Sequence, residues 1–191
     1  MAGRRRWPWV VGGLLFLGLA FVGWEAYPKG GAARWGPLTG RIVDAETGRP
    51  IAGAVVLATW DEIERWNPVH PRSLFYDAQE VVTDAAGRFT IPGIHPLWGF
   101  RVVRQPNWRV FAPGYTEHRQ VVTPPDGEPL VAPTVIEMRP LSTRQERLNE
   151  MDRADGAAGS VPPGKRCLLR RAINQERRYL GFNDQFPECK G

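Results

Sequence analysis

Between residues 38 and 139 the apolar positions come in short runs, and several alternate strictly with polar ones. Phe89 and Ile91 alternate with Arg88 and Thr90. Ile136 and Met138 alternate with Val135 and Glu137. A period of two puts one set of side chains on each face of a strand. Turn residues break the runs at short intervals. The pattern predicts strands at 38–44, 54–59, 80–83, 88–91, 100–104, 108–111, 119–123 and 134–139. One buried face per strand implies two packed antiparallel sheets. Within this region, residues 60–77 form an insertion with four aromatics, two prolines and a run of acids. It reads as a long ordered loop with one helical turn at most.

The two ends follow other patterns. Residues 7–24 carry no charge and follow Arg4, Arg5 and Arg6. Eighteen helical residues rise about 27 Å, close to the hydrocarbon thickness of a bilayer. Trp7 and Trp9 sit at one end and Trp24 and Tyr27 at the other, as in the aromatic belts of a spanning helix. The arginines favour the cytoplasmic side, so the rest of the chain is expected outside. Residues 1–24 are thus read as an uncleaved transmembrane anchor. The rival is a cleaved signal peptide, for which Gly31-Ala32-Ala33 is a cleavage site set rather far beyond the apolar core. Either way the domain is exported, and the expected location is a bacterial inner membrane with the domain facing the periplasm. Residues 25–36 form a short linker. After Pro140, Ser142 or Thr143 with Gln145 or Glu146 makes a capping box and predicts a helix over 143–153. A flexible break at 155–164 precedes a second predicted helix at 168–182, with Leu169, Ile173 and Leu180 on one side. Residues 141–191 are therefore a helical C-terminal extension.

The formal net charge is +5 over 191 residues. It resides at the ends: residues 1–24 carry +3, residues 139–191 carry +4, and the middle carries −2. A nucleic-acid module would place its basic face on the folded domain, so no nucleic-acid partner is expected. The basic run from Lys165 to Arg178 suits anionic lipid or an acidic partner, or simply a solvated helix face.

The turns have a particular order. "DAETGRP" closes a corner in which Gly48 supplies a positive φ and Pro50 fixes the start of the next strand. "PIAGA" places Gly53 at a bulge or close approach. "VTDAAGRFTI" repeats the logic: Asp84 starts a tight turn, Gly87 takes the left-handed position and Phe89 re-enters the core. "APGY", with Gly114 and Tyr115, is a third corner. Together with Gly40, Val43-Asp44, Thr47, Ile51, Ala54, Thr83 and Ile91, this ordered set resembles the carboxypeptidase regulatory-like domain over about residues 37–140. The resemblance implies a mainly β, Greek-key, prealbumin-like β-sandwich of about seven strands, with motif residues that are structural rather than catalytic. A fold of this kind carries many functions, so function needs a site.

Candidate chemistry is sparse. An isopeptide-forming sandwich needs a lysine inside it, and Lys29, Lys165 and Lys190 all lie outside residues 37–140. His70, His95 and His118 are scattered without ligand spacing, so no metal or cofactor is expected. Asp61, Glu62 and Glu64 read better as a solvated acidic loop than as a glycosidase pair. Trp60, Trp66, Phe75 and Tyr76 are the candidate ligand contacts, either as a stacking platform for a sugar or peptide or as packing for the insertion. Cys167 and Cys189 bracket the last helix, and in an exported protein two cysteines most simply form a disulfide. The expectation is a non-enzymatic envelope module that recognises or scaffolds a protein partner or a cell-wall glycan. The alternatives are a structural subunit docking through its C-terminal helices and, less favoured, an enzyme acting on envelope glycan or peptide.

Overall fold

Strand β1 (Leu38–Asp44) decides the layering. Leu38 and Ile42 are buried on one face, while Arg41 faces solvent on the other. The computed structural model describes residues 36–63, 72–94, 102–104, 106–121, 134–187 and 189. Strands β2 (Val55–Ile63), β3 (Ser73–Val82), β4 (Arg88–Ile91), β5 (Val102–Val103), β6 (Asn107–Phe111), β7 (His118–Val121) and β8 (Thr134–Met138) follow. Helices α1 (Arg144–Ala157) and α2 (Cys167–Tyr179) close the fold, with a 3-10 turn at Pro163–Lys165 between them. Among the described residues no helix is long and apolar enough to cross a membrane. The expected anchor at residues 1–24 and the linker up to residue 35 lie outside the described residues.

The strands form two sheets. One has three strands in the order β4-β1-β8, and the other has five, with β3-β2-β6-β7 in line and β5 added to β2. Side chains from both sheets meet in one core. Leu38, Ile42, Phe89, Ile91, Ile136 and Met138 come from the first sheet, and Val56, Ala58, Trp60, Trp108 and Val110 from the second. Phe89 meets Trp108 edge to face across this core, with ring centroids 5.5 Å apart.

Three expectations need correction. The sheets are not wholly antiparallel, because β1 and β8 run parallel, with Gly40 opposite Thr134 and Asp44 opposite Met138. No hairpin joins these strands; β8 returns from the far sheet, so the chain path and not a tight turn sets its direction. The rule of one buried face also fails for β2, where every residue from Val55 to Trp60 is buried. Its outer face is covered by the C-terminal helices. Val55, Leu57, Ala78 and Phe111 form a second core with Met151, Ala154, Leu169, Ile173 and Leu180. Finally, much of the insertion is strand: β2 runs on to Ile63 and β3 begins at Ser73, leaving residues 64–71 outside the described residues. The register slips between Trp60 and Asp61, where β3 holds the extra residue Tyr76.

The two glycine corners differ in tolerance. Gly87 has φ +72, and a Cβ there would sit 2.4 Å from the Ile42 carbonyl oxygen. Its own carbonyl accepts from the Ile42 N–H at 2.8 Å, so the close approach belongs to the fold. Gly48 has φ +66 but opens on empty space. Gly87→Ala is expected to destabilise by more than about 2 kcal/mol, whereas Gly48→Ala costs only the left-handed backbone strain of about 1 kcal/mol. Urea unfolding of the two variants checks this order, and equal losses would mean that the backbone near Ile42 yields.

Candidate functional site

The end of β1 gathers the turn residues into one constellation. The Asp44 carboxylate accepts from the backbone N–H of Glu46 at 2.9 Å and of Thr47 at 2.8 Å. Its other oxygen accepts from the Tyr115 hydroxyl at 3.1 Å, 71 residues away in sequence. The backbone N–H of Thr47 is the largest cause holding the Asp44 pKa below its ordinary value, and Glu46 and Tyr115 act in the same direction. The Tyr115 hydroxyl is pushed up, first by burial and then by Asp44. The second corner is built alike. Asp84 accepts from the N–H of Ala86 and Arg88, and Thr83 donates its hydroxyl to the Ile51 carbonyl at 2.7 Å while accepting from the Ala54 N–H. Gly53 and Gly114 take positive φ in the remaining turns. The Asp44 and Asp84 carboxylates and the Thr83 hydroxyl are engaged by these bonds, so the constellation shapes loops.

This is the motif geometry of a known domain: residues 37–137 match the family model of the carboxypeptidase regulatory-like domain. The chain belongs to that family. No curated protein matches it. The carboxypeptidase regulatory-like domain is a non-catalytic β-sandwich, which agrees with corners whose carboxylates bind backbone N–H groups.

Among the described residues, Trp60, Phe75 and Tyr76 do not share one exposed face. Trp60 is fully buried in the inner core and cannot offer a ring face to a ligand. Tyr76 packs against the same inner core, but Phe75 packs against the outer one, beneath the helices. The bulge between Trp60 and Asp61 lies where this division occurs. Trp66 lies outside the described residues, as do Glu64, His70 and His95. Asp61 and Glu62 are consecutive on β2, so their side chains point to opposite faces and do not form a carboxylate pair. Among the described residues no group of three or more His, Cys, Asp and Glu is placed to hold a metal.

The helical cover holds polar chemistry that the sequence did not reveal. Helix α2 has no side-chain cap of its own, since Arg166 stands at its N-cap. Instead Glu80 of β3 reaches across: its two oxygens accept from the N–H of Leu168 at 2.8 Å and Leu169 at 2.9 Å. Burial raises the Glu80 pKa, and the Leu169 and Leu168 N–H groups oppose that shift. Cys167, the first residue of the helix, is joined to Cys189 as expected. The buried Asn174 clasps the backbone of Phe186 twice, donating to its carbonyl at 3.0 Å and accepting from its N–H at 2.9 Å. Arg147 of α1 forms a bidentate pair with Glu176 of α2, one bond of 2.8 Å, and its guanidinium lies 3.8 Å from the centroid of the Tyr179 ring. The capping box on Thr143 and Glu146 starts α1 as the sequence indicates.

Two expectations follow from these groups. A carboxylate whose pKa is depressed in the fold adds stability above its unfolded pKa and loses it as pH falls. Asp44 is depressed from 3.8, so Asp44→Asn should flatten the acid limb of stability below about pH 4. Urea midpoints from pH 7 to pH 3 measure this, and parallel profiles for the two proteins would sink it. Glu80 shifts the other way, so its ionisation in the fold subtracts stability as pH rises through its titration. Glu80→Ala removes both acceptors of the helix cap and should cost about 1 kcal/mol at pH 7. Glu80→Gln keeps one acceptor without a buried charge and should cost less. The reverse order would show that the negative charge at the helix terminus outweighs its burial.

Proposed function

We infer that the chain is an exported, non-catalytic recognition and scaffolding module of a bacterial envelope, held to the inner membrane by residues 1–24 and contacting a protein partner. The sandwich is read as the Greek-key, prealbumin-like arrangement of its family. One observation favours a protein over a glycan. Of the aromatics expected to stack a sugar or peptide, Trp60 and Tyr76 pack in the inner core and Phe75 against the outer one, whereas a broad strand face is open. The outer face of the β4-β1-β8 sheet presents Arg41, Arg88, Thr90, Val135 and Glu137 to solvent. Val135 is 59% exposed. Arg41 stands directly opposite Arg88 on β4 and beside Val135 on β8. Charges of both signs around an exposed valine make a polar surface with a small apolar centre, as in protein interfaces.

The alternative, an assembly subunit docking through its helices, has support in the exposed side of α2. A photo-crosslinking residue placed at Val135 or at Gln175 in the full chain separates these readings in cells. A protein adduct at Val135 that disappears with Arg88→Glu supports recognition through the sheet. Adducts from Gln175 alone support the assembly role instead. Location is tested separately by a reporter behind Gly191 that works only after export; activity of a cytoplasm-only reporter there would overturn it.

A further inference from the structure

Helix α2 turns one face to solvent, with Tyr179 at its edge stacked against the Arg147 guanidinium. Arg171, Gln175, Arg178 and Tyr179 recur at helical spacing and are exposed, Tyr179 to 71%. The helix's single acid, Glu176, is buried against Arg147 and leaves no negative charge on that face. Two other cations of the cover have ion-pair partners, Lys165 with Asp77 at 3.0 Å and Arg177 with Asp184. Arg171 and Arg178 have no ion-pair partner among the described residues. The exposed face of α2 therefore carries positive charge alone, with an aromatic ring at its end.

We propose that α2 lays this face on an anionic phospholipid surface. Two features beyond charge point to a membrane. The first is the path of the chain. Gly36 abuts Gly93, since a Cβ on it would fall 2.6 Å from the Gly93 Cα. Gly93 is clasped by Gln79 of β3, and the next residue, Glu80, caps α2 from the opposite face of the strand. The chain thus enters the domain across one strand from the start of α2. Residues 25–36 span at most about 40 Å when fully extended, which keeps the domain beside the bilayer that the apolar run would occupy. The second is the order of the layers. The helices cover the outer face of the five-stranded sheet, and the β4-β1-β8 sheet lies beyond the inner core. With α2 on the bilayer, the open strand face points away from it. Arginines near an anionic surface strengthen attachment by about fivefold each, and a tyrosine suits the headgroup level.

The inference rests on the anchored reading, so its test keeps the two apart. The full chain is placed in nanodiscs containing a gadolinium-chelating lipid, either zwitterionic or with added phosphatidylglycerol, and amide broadening is read residue by residue. Broadening at Arg171, Gln175 and Arg178 should appear in anionic discs and fade at about 1 M salt, where the screening length is roughly 3 Å. It should fall several-fold in Arg171→Glu/Arg178→Glu, which changes only exposed side chains. Equal broadening in both lipids, or broadening on β8 instead, overturns the proposal. So does an α2 face that responds to soluble polyglutamate while anionic discs leave it unbroadened, which would assign it to an acidic protein. Flotation of the full chain with zwitterionic vesicles in high salt tests the anchor alone.

Discussion

Strand β2 is apolar on both faces, and the rest of the architecture answers that constraint. Val56, Ala58 and Trp60 point into the sandwich, while Val55 and Leu57 point out of it. A sheet exposing Val55, Leu57, Ala78 and Phe111 to water would offer a contiguous sticky patch. The chain covers this face with its own last fifty residues. The cover is held by more than apolar contact. Glu80 anchors the start of α2, Arg147 and Glu176 join the two helices, Asn174 holds the returning tail at Phe186, and Cys167–Cys189 ties its end. The Arg147–Glu176 pair is nearly dry, so losing either member would strand a buried charge at a cost of about 3–5 kcal/mol.

The sandwich was largely legible because its signals are local. Strands β1 and β4 have the bounds that alternation predicts, and the corners at Asp44 and Asp84 use side chains within four residues of the N–H groups they bind. The capping box at Thr143 is equally local. What escaped the sequence is what is built across it. The Glu80 cap joins positions 88 apart, and the Tyr115 hydroxyl reaches Asp44 over 71 residues. A clue to the first was present in "PPGKRC", which offers α2 no Ser, Thr, Asp or Asn to cap it locally. A clue to the second core was the unbroken run from Ala54 to Ala58, since a strand buried on both faces loses its alternation. The aromatic group around Trp60 was legible as a set but not as a geometry. A single bulge decides which rings face inward, and composition does not locate a bulge.

The family motif also does more than close turns. Its corners converge on the end of β1: Val43 bridges Pro50, Ile42 donates to Gly87, Ala45 donates to Met138, and Asp44 receives Tyr115. The extension starts from this junction. Tyr115 bridges Pro140, and the Leu141 N–H donates to Gly114 at 2.8 Å, one turn before α1 begins. The Arg147 guanidinium then lies close over Gly114, where a side chain would meet it at 3.1 Å. The same arginine holds Glu176. A conformation set by glycine in the third corner is therefore linked, through one side chain, to the packing of α2.

This linkage bears on how such a module presents its surfaces. An extension tethered only at its start would leave α2 free to adopt many positions, and any face it carried would have no fixed direction. Here α2 is fixed at both ends and along its length: Glu80 and the disulfide at its N-terminus, Arg147 in the middle, and the Arg144 guanidinium donating to the Leu180 carbonyl just past its end. Its exposed side is then a rigid outer layer, opposite the open strand face across two sheets. A domain built in this way has two fixed surfaces on opposite sides, which allows it to be held on one while it engages a partner on the other.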